Sequence, residues 1–187
     1  MALIDDYHKE ECIQGVIYNM SPSAPFEHAT VNGNIYGELY AQLKHSLCSV
    51  FMENADLHFD EQSKDYVVPD IMIVCDTKAF KKGTKKYYGI PKFIVETLSP
   101  STAKKDRTVK KDLYAKKGVS EYWIVDYKSK SVEVHYLKNG TYELVNVLML
   151  QDDPEEDDYN AKEVLELREF PGVKLVLEDI FHHVDLV

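Results

Sequence analysis

Hydrophobic positions recur with two different periods along the chain, and each period predicts a different kind of element. Apolar residues at every fourth position from Val31 to Leu47 predict an amphipathic helix over 27–47. Shorter apolar runs between turn residues predict strands at 11–20 (turning at Gly15), 49–52, 56–59, 67–75, 92–98, 121–126, 131–137 and 142–150.

A second helix is bounded by residues that favour a start and a stop. The run 99–101 ends the strand at 92–98, and Ser101 or Thr102 provides an N-cap. Gly118 follows the predicted last residue, at about Lys117. Because this strand-helix-strand unit should form a right-handed crossover, its two strands are predicted to be parallel neighbours.

The remaining turns complete a mixed α/β pattern. Asn139 and Gly140 predict a tight hairpin between two strands. The segments 164–170 and 173–177 are predicted to form a terminal hairpin. A chain of 187 residues with 44% hydrophobic residues fits one domain, which we expect to span 1–187.

Composition excludes several classes of protein. No apolar run approaches the roughly 20 residues of a membrane helix. Asp5 and Asp6 stand where a signal peptide would carry basic residues, so a cytoplasmic protein is expected. The three cysteines, Cys12, Cys48 and Cys75, form no CxxC pair, and we predict that Cys48 and Cys75 are reduced core residues.

The net charge of −10 argues at first against a nucleic acid as partner. The charge is unevenly distributed, however, because 78–117 contains thirteen Lys or Arg and three acids, a net +10, which leaves −20 elsewhere. Phosphate binding depends on the local patch rather than on the total. The segment is therefore either a phosphate-binding surface or a solvated, lysine-rich face.

Two carboxylates interrupt apolar strand sequence. Asp70 precedes the run 71–74, and Glu96 follows 93–95. Carboxylates in such places need a partner or a metal ion, and oxygen ligands suit Mg²⁺ or Mn²⁺. Asp106 and Lys110 share a face of the second helix, so Lys110 could reach these carboxylates. Taken singly, Asp70 fits a turn, and Asp106 with Lys110 fits a solvated surface pair.

The motifs together closely resemble the Uma-two-like restriction-endonuclease family, formerly a domain of unknown function, within the PD-(D/E)XK nuclease superfamily. The resemblance covers roughly Tyr7 to Leu137. The matching segments are Glu11–Gly15, Met20–Pro22, Glu27-His28, Pro69-Asp70, Glu96–Thr102, Asp106-Arg107 with Lys110, Leu113–Ala115, Gly118-Val119 and Glu121–Asp126. It implies a restriction-endonuclease-like fold, in which a mixed β-sheet is flanked by helices and extended by antiparallel strands.

The resemblance also implies roles for single residues. Asp70 and Glu96 match the two metal-binding carboxylates, and the carbonyl of Thr97 completes the metal site. The superfamily lysine lies two residues after the second carboxylate, where this chain has Leu98. Lys110 is its usual replacement in the family. Glu11 and His28 match positions near the site, although Glu11 could simply accept a hydrogen bond and His28 could simply stabilise the helix start.

The leading hypothesis is a Mg²⁺- or Mn²⁺-dependent endonuclease acting on DNA, with Asp70, Glu96, Lys110, Glu11 and His28 at the active site. A catalytically inactive nucleic-acid-binding module that keeps the fold is the alternative, and a purely structural protein is a third. Because superfamily members are often dimers, a homodimer is expected by analogy. No membrane association is expected.

Overall fold

A six-stranded mixed β-sheet lies at the centre of the structure, a computed structural model that describes residues 10–19, 24–53 and 55–186. The strands are β1 (Glu10–Ile13), β2 (Val16–Asn19), β3 (Ser49–Met52), β4 (Asp56–His58), β5 (Ile71–Val74), β6 (Lys86–Tyr88), β7 (Phe93–Thr97), β8 (Glu121–Asp126), β9 (Ser131–Lys138), β10 (Thr141–Met149), β11 (Val164–Glu166) and β12 (Lys174–Val176). The α-helices are α1 (Phe26–Leu43), α2 (Ala103–Lys105), α3 (Lys111–Lys117) and α4 (Leu177–Ile180). Short 3₁₀ turns lie at Thr77–Ala79 and Val184–Leu186.

The strand order in the central sheet is β10-β9-β8-β7-β5-β3. β7 and β8 are parallel, and the other neighbours are antiparallel. The predicted parallel pair around the second helix is therefore confirmed, as is the mixed α/β fold with additional antiparallel strands. The Asn139-Gly140 turn is confirmed too, with φ of 52° and 81° at the two residues.

Side chains from alternate positions of the sheet build two separate cores. Phe93 and Val95 of β7 pack on the face covered by α1, with Val31 and Ile35 of that helix. Ile94, between them, packs on the opposite face with residues of α3. This alternation follows from the two-residue period of a strand. It matters for function, because Glu96 and Thr97 continue the same strand toward opposite faces.

Several predicted boundaries differ from the observed ones. The first helix ends at Leu43 rather than at 47, and Leu47 is exposed, since the chain turns after Lys44 donates its N–H to Tyr40. The predicted strand 67–75 shortens to β5, which begins only after Pro69. β6, which no prediction placed, lies within the basic segment 78–117 and pairs in parallel with β4.

The second helix also departs from a regular α-helix. Between α2 and α3, Asp106–Lys110 forms a π-helical segment. Such widened turns occur often at functional sites. Asp106 and Lys110 both point into the protein from this segment and are buried, which excludes the solvated surface pair as an explanation for them.

The prediction of reduced cysteines is wrong for Cys48 and Cys75, which form a disulfide. Cys48 directly precedes β3 and Cys75 directly follows β5. Because β3 and β5 are antiparallel with Ser49 opposite Val74, the two cysteines are the next facing pair, 4.1 Å apart at Cα. Cys12 is a free thiol.

Two segments of the family resemblance, Tyr7 and 20–22, lie outside the described residues. In the ranges that the structure covers, no helix is both long enough and apolar enough to cross a membrane.

The disulfide should contribute measurably to stability. It joins residues 27 positions apart, and closing a loop of that length in the unfolded chain is worth about 3–4 kcal/mol. We expect Cys48→Ser, or added reductant, to lower the free energy of unfolding by an amount of that order in guanidinium titrations. Cys12→Ser is the control and should change little. Equal stability in the oxidised and reduced protein would contradict the assignment.

Candidate metal and active site

The start of β5 and the end of β7 lie side by side because these strands are antiparallel neighbours. Ile71 faces Val95, so Asp70, just before β5, comes level with the last residues of β7. The backbone N–H of Thr97 donates to Oδ2 of Asp70 at 2.8 Å. The apolar sheet thus fixes a buried carboxylate next to the predicted second carboxylate, Glu96, and the Thr97 carbonyl.

His28 reaches the same place from the first turn of α1. Its Nε2 lies 3.0 Å from the carbonyl oxygen of Thr97 and 3.3 Å from Oδ2 of Asp70. The ring is buried. Burial acts to lower the pKa of His28, but the hydrogen bond and charge of Asp70 raise it above its ordinary value.

Glu53 completes this group and was not predicted from the sequence. It follows β3, with φ of 44°, and its N–H donates to the backbone oxygen of Asp70 at 2.9 Å. One ligand atom from each of His28, Glu53 and Asp70 can be chosen so that all lie within 4.8 Å of one another. A glutamate ending an apolar strand was the available signal.

The chemistry of these groups fits a divalent metal ion. Two carboxylates and a carbonyl oxygen supply hard oxygen donors, and an imidazole supplies a nitrogen. Donor atoms that all lie within 4.8 Å of one another are close enough to bind one ion at bond lengths of about 2.0–2.4 Å. We call His28, Glu53, Asp70 and the Thr97 carbonyl the metal-type group.

A second group, the Lys110 cluster, surrounds a buried ammonium on the other face of β7. Lys110 Nζ lies 2.5 Å from Glu96 Oε1, 3.0 Å from Glu11 Oε1 and 3.7 Å from Asp106 Oδ1. Only 1% of Lys110 is exposed. The hydroxyl of Tyr114, one turn further along the helix, donates to Glu96 Oε1 at 2.5 Å.

Glu11 lies in β1, which forms the first hairpin with β2, and it links this hairpin to the Lys110 cluster. One of its oxygens accepts the N–H of Val68 at 2.9 Å, and the other pairs with Lys105. Burial acts to raise the pKa of Glu11, but the ammonium groups of Lys110 and Lys105 lower it to about 2. Glu11 is therefore an ionised anchor for two lysines and more than a strand-end acceptor.

The pKa values of Glu96 and Lys110 are both raised, with opposite consequences for the charges of the two groups. Burial raises the pKa of Glu96 well above its ordinary value, against the Lys110 charge. The pKa of Lys110 lies well above its ordinary value because Glu11 and Glu96 outweigh its burial. Lys110 consequently keeps its charge, while the raised pKa of Glu96 favours its protonated form.

The structure thus places the predicted residues in two adjoining groups. Asp70, Thr97 and His28 belong to the metal-type group, and Glu96, Lys110 and Glu11 belong to the Lys110 cluster. Sequence reasoning missed Glu53 and Tyr114. Tyr114 lies in the matching segment Leu113–Ala115, but a tyrosine in a helix suggests packing rather than a role at a site. Leu98, at the superfamily lysine position, is buried in the core next to Tyr114.

The basic segment divides between interior and surface. Lys110 is buried and Lys105 is partly buried, and both pair with carboxylates of the site. Lys78, Lys81 and Lys82 are exposed on the stretch before β6. The solvated-face interpretation is therefore wrong for Lys110, while the exposed lysines are available to bind phosphates.

Comparison with known proteins agrees with this fold. The family model Uma2, described as "Putative restriction endonuclease", matches residues 2–177. An uncharacterized protein of Synechocystis sp., slr1290, is 25% identical over 196 residues, covering 86% of this chain and 95% of that protein. The crystal structure of a "putative nuclease belonging to DUF820" from Anabaena variabilis superposes with a TM-score of 0.70 at 16% identity, covering 94% of this chain and 90% of that one. The family and the fold together support a nuclease.

Lys110 should contribute strongly to stability because it is the cation that pairs with three buried carboxylates. Removing one partner of a buried ion pair costs about 3–5 kcal/mol. We expect Lys110→Met to lower the free energy of unfolding by that order in urea titrations. Lys111→Met, on the next residue and only partly buried, is the matched control and should cost far less. Equal destabilisation in the two variants would contradict the buried-cluster account.

Proposed function

We propose that this chain, which belongs to the Uma2 restriction-endonuclease family, is a metal-dependent endonuclease that hydrolyses phosphodiester bonds of DNA. The observation that carries the proposal is the convergence of Asp70, the Thr97 carbonyl and His28 at the sheet edge beside Glu96 and Lys110. Perturbed acids and a charged lysine that meet at such an edge are typical of a catalytic site.

Asp70, Glu96 and the Thr97 carbonyl are the proposed ligands of Mg²⁺ or Mn²⁺. A bound divalent ion would supply Lewis-acid stabilisation of phosphate charge and lower the pKa of a water molecule. Asp70 is already held in place by the Thr97 N–H. His28 and Glu53 border the same position and keep it polar.

Lys110 and Glu96 are the proposed groups that act on the attacking water. In hydrolysis the water oxygen forms a new bond to phosphorus while one ester P–O bond breaks. The departing oxygen takes up a proton from solvent, which leaves a phosphate monoester and a hydroxyl. Glu96, the carboxylate nearest the Lys110 ammonium, is the proposed acceptor of the proton that the water loses. The Lys110 ammonium balances the negative charge that develops on phosphorus oxygens. Glu11 holds Lys110 in position, with 3.0 Å between its Oε1 and Nζ.

The exposed lysines between Thr77 and β6 are the proposed contact with the DNA backbone. Their charges lie on a chain whose remainder is acidic, so phosphate binding should be local to this surface. A homodimer, a single domain over 1–187 and a cytoplasmic location are further parts of the proposal. The disulfide is a reason to test the location, because cytosolic proteins seldom keep one.

A nucleic-acid-binding module without turnover is the second candidate. It is favoured by Leu98 at the usual lysine position and by the engagement of Lys110 with three carboxylates. Such a module would bind DNA with the same lysines but leave it intact. Cleavage assays separate the two candidates directly.

Cleavage should require both the ion and Asp70. Pure protein incubated with plasmid and MgCl₂ or MnCl₂ is expected to nick or linearise it, and EDTA should stop the reaction. Asp70→Ala should lower the rate by about a hundredfold or more, because the developing phosphate charge loses its stabilisation. Asp157→Ala, at an exposed acid of the loop after β10, is the matched control. Binding without cleavage in either metal would favour the inactive module.

DNA affinity should fall steeply as the salt concentration rises, because the lysines near β6 bind DNA phosphates and displace their counterions. Reversing Lys81, Lys82, Lys85 and Lys86 to Glu should weaken binding to every DNA sequence alike. The slope of log affinity against log salt should shrink by roughly 0.9 for each phosphate that the variant no longer neutralises, as measured by fluorescence anisotropy.

The control for this experiment makes the same change of charge elsewhere. It reverses four exposed lysines on other elements to Glu: Lys128, Lys138, Lys162 and Lys174. If both quadruple variants lose affinity equally, overall charge rather than the β6 surface governs DNA binding.

A further inference from the structure

We propose that His28 binds the metal ion directly through Nε2, together with Glu53, and that the site therefore selects Mn²⁺ over Mg²⁺. This inference rests on the proposed function and adds two ligands to it. It also assigns Asn32 as the positioning residue that orients the His28 ring.

The His28 ring is directed at the donor atoms of the site. Its Nε2 points between two oxygens that the ion would need, the Thr97 carbonyl at 3.0 Å and Asp70 Oδ2 at 3.3 Å. A cation placed among these three atoms would be bonded to all of them, since bond lengths to such ions are about 2.0–2.3 Å. Helix α1 contributes no ligand other than this imidazole to the metal-type group, among the residues that the structure describes.

Glu53 brings a second carboxylate to the same position. Its backbone is tied to Asp70 by the 2.9 Å hydrogen bond, so its side chain starts close to the same oxygens. The grouping of its carboxylate with Asp70 and His28 within 4.8 Å gives the ion two negative charges from two separate strands. Those charges offset the cost of dehydrating a divalent cation.

The imidazole nitrogen determines which of the two divalent ions the site prefers. Mg²⁺ prefers an all-oxygen octahedral shell and gains little from imidazole. Mn²⁺ accepts oxygen ligands equally well and also binds imidazole nitrogen. A shell that adds one histidine to carboxylates and a carbonyl therefore favours Mn²⁺ when both ions compete.

Asn32, one turn after His28 and also buried, controls which ring nitrogen carries the proton. Its amide nitrogen lies 3.3 Å from His28 Nδ1, and its Oδ1 accepts the Thr97 hydroxyl at 2.6 Å. With the amide in this orientation, the ring proton sits on Nε2 and is donated to the Thr97 carbonyl.

Metal binding requires the other tautomer, with the proton on Nδ1. Turning the Asn32 amide over presents Oδ1 to Nδ1–H and the amide nitrogen to the Thr97 hydroxyl. Both hydrogen bonds of the Asn32 amide are retained, because the hydroxyl can accept as well as donate, and the ion takes the place of the proton between Nε2 and the Thr97 carbonyl. Ligating histidines usually donate their second N–H to such an acceptor, and loss of that acceptor costs about 10–100-fold in metal affinity.

The test is isothermal titration of the full-length protein with MnCl₂ and with MgCl₂, without DNA. The wild type is expected to bind Mn²⁺ at least about tenfold more tightly than Mg²⁺. His28→Gln keeps an N–H that can donate to the Thr97 carbonyl but replaces a nitrogen ligand with an amide. It should lose about 10–100-fold in Mn²⁺ affinity and change Mg²⁺ affinity much less. His45→Gln, at an exposed histidine just after α1, is the matched control.

Two further variants separate ligand from positioning roles. Glu53→Gln should lower the affinity for both ions, because it removes a negative charge and leaves the His28 nitrogen ligand unchanged. Asn32→Leu should lower the affinity for Mn²⁺ about 10–100-fold. Asn32→Asp, which still accepts a hydrogen bond from Nδ1–H, should keep an affinity close to that of the wild type. Circular dichroism melts without metal identify any variant that fails to fold.

Equal wild-type affinities for the two ions, or an unchanged Mn²⁺/Mg²⁺ ratio in His28→Gln, would overturn the inference. Metal-dependent plasmid cleavage would then still support the proposed nuclease. Conversely, a histidine-dependent Mn²⁺ site in a protein that never cleaves DNA would uphold the inference and overturn the proposed activity.

Discussion

The ammonium group of Lys110 is the interaction on which the site depends, because three buried carboxylates converge on it. Glu11 comes from the first hairpin, Glu96 from the central sheet and Asp106 from the π-helical segment. Charges removed from water are tolerated only when they are paired. The hairpin, the sheet and the helical segment are therefore held together by the same ion pairs that would orient groups for catalysis.

Strand β7 connects this cluster to the metal-type group. Successive residues of a strand point to opposite faces, so Glu96 meets Tyr114 of α3 while the Thr97 hydroxyl meets Asn32 of α1. Asp70, just before the neighbouring strand β5, accepts a hydrogen bond from the Thr97 N–H and so belongs to the same site. The end of β7 thus presents Glu96, paired with Lys110, on one face of the sheet and the metal-type group on the other.

Much of this could be predicted from the sequence, for physical reasons that also mark the limits. Burying a carboxylate without a partner costs free energy. For this reason Asp70 and Glu96, which interrupt apolar runs, could be identified from the sequence. Helix spacing together with the family resemblance pointed to Lys110, and the resemblance alone pointed to Glu11 and His28. Residues that meet only through strand pairing carried no comparable signal in the local sequence. Glu53 reaches Asp70 because β3 pairs with β5, and Cys48 faces Cys75 through the same pairing. Neither relation is visible in local periodicity.

The central claim is that a divalent ion binds at the edge of the sheet where Asp70 meets Thr97. Anomalous-difference maps from crystals grown with MnCl₂ test it most directly, because they locate the ion without reference to activity. The account predicts a peak within about 2.5 Å of both the Asp70 carboxylate and the Thr97 carbonyl oxygen. A well-diffracting crystal at saturating Mn²⁺ with no peak there, or with the ion bound only at other acidic residues, would contradict it.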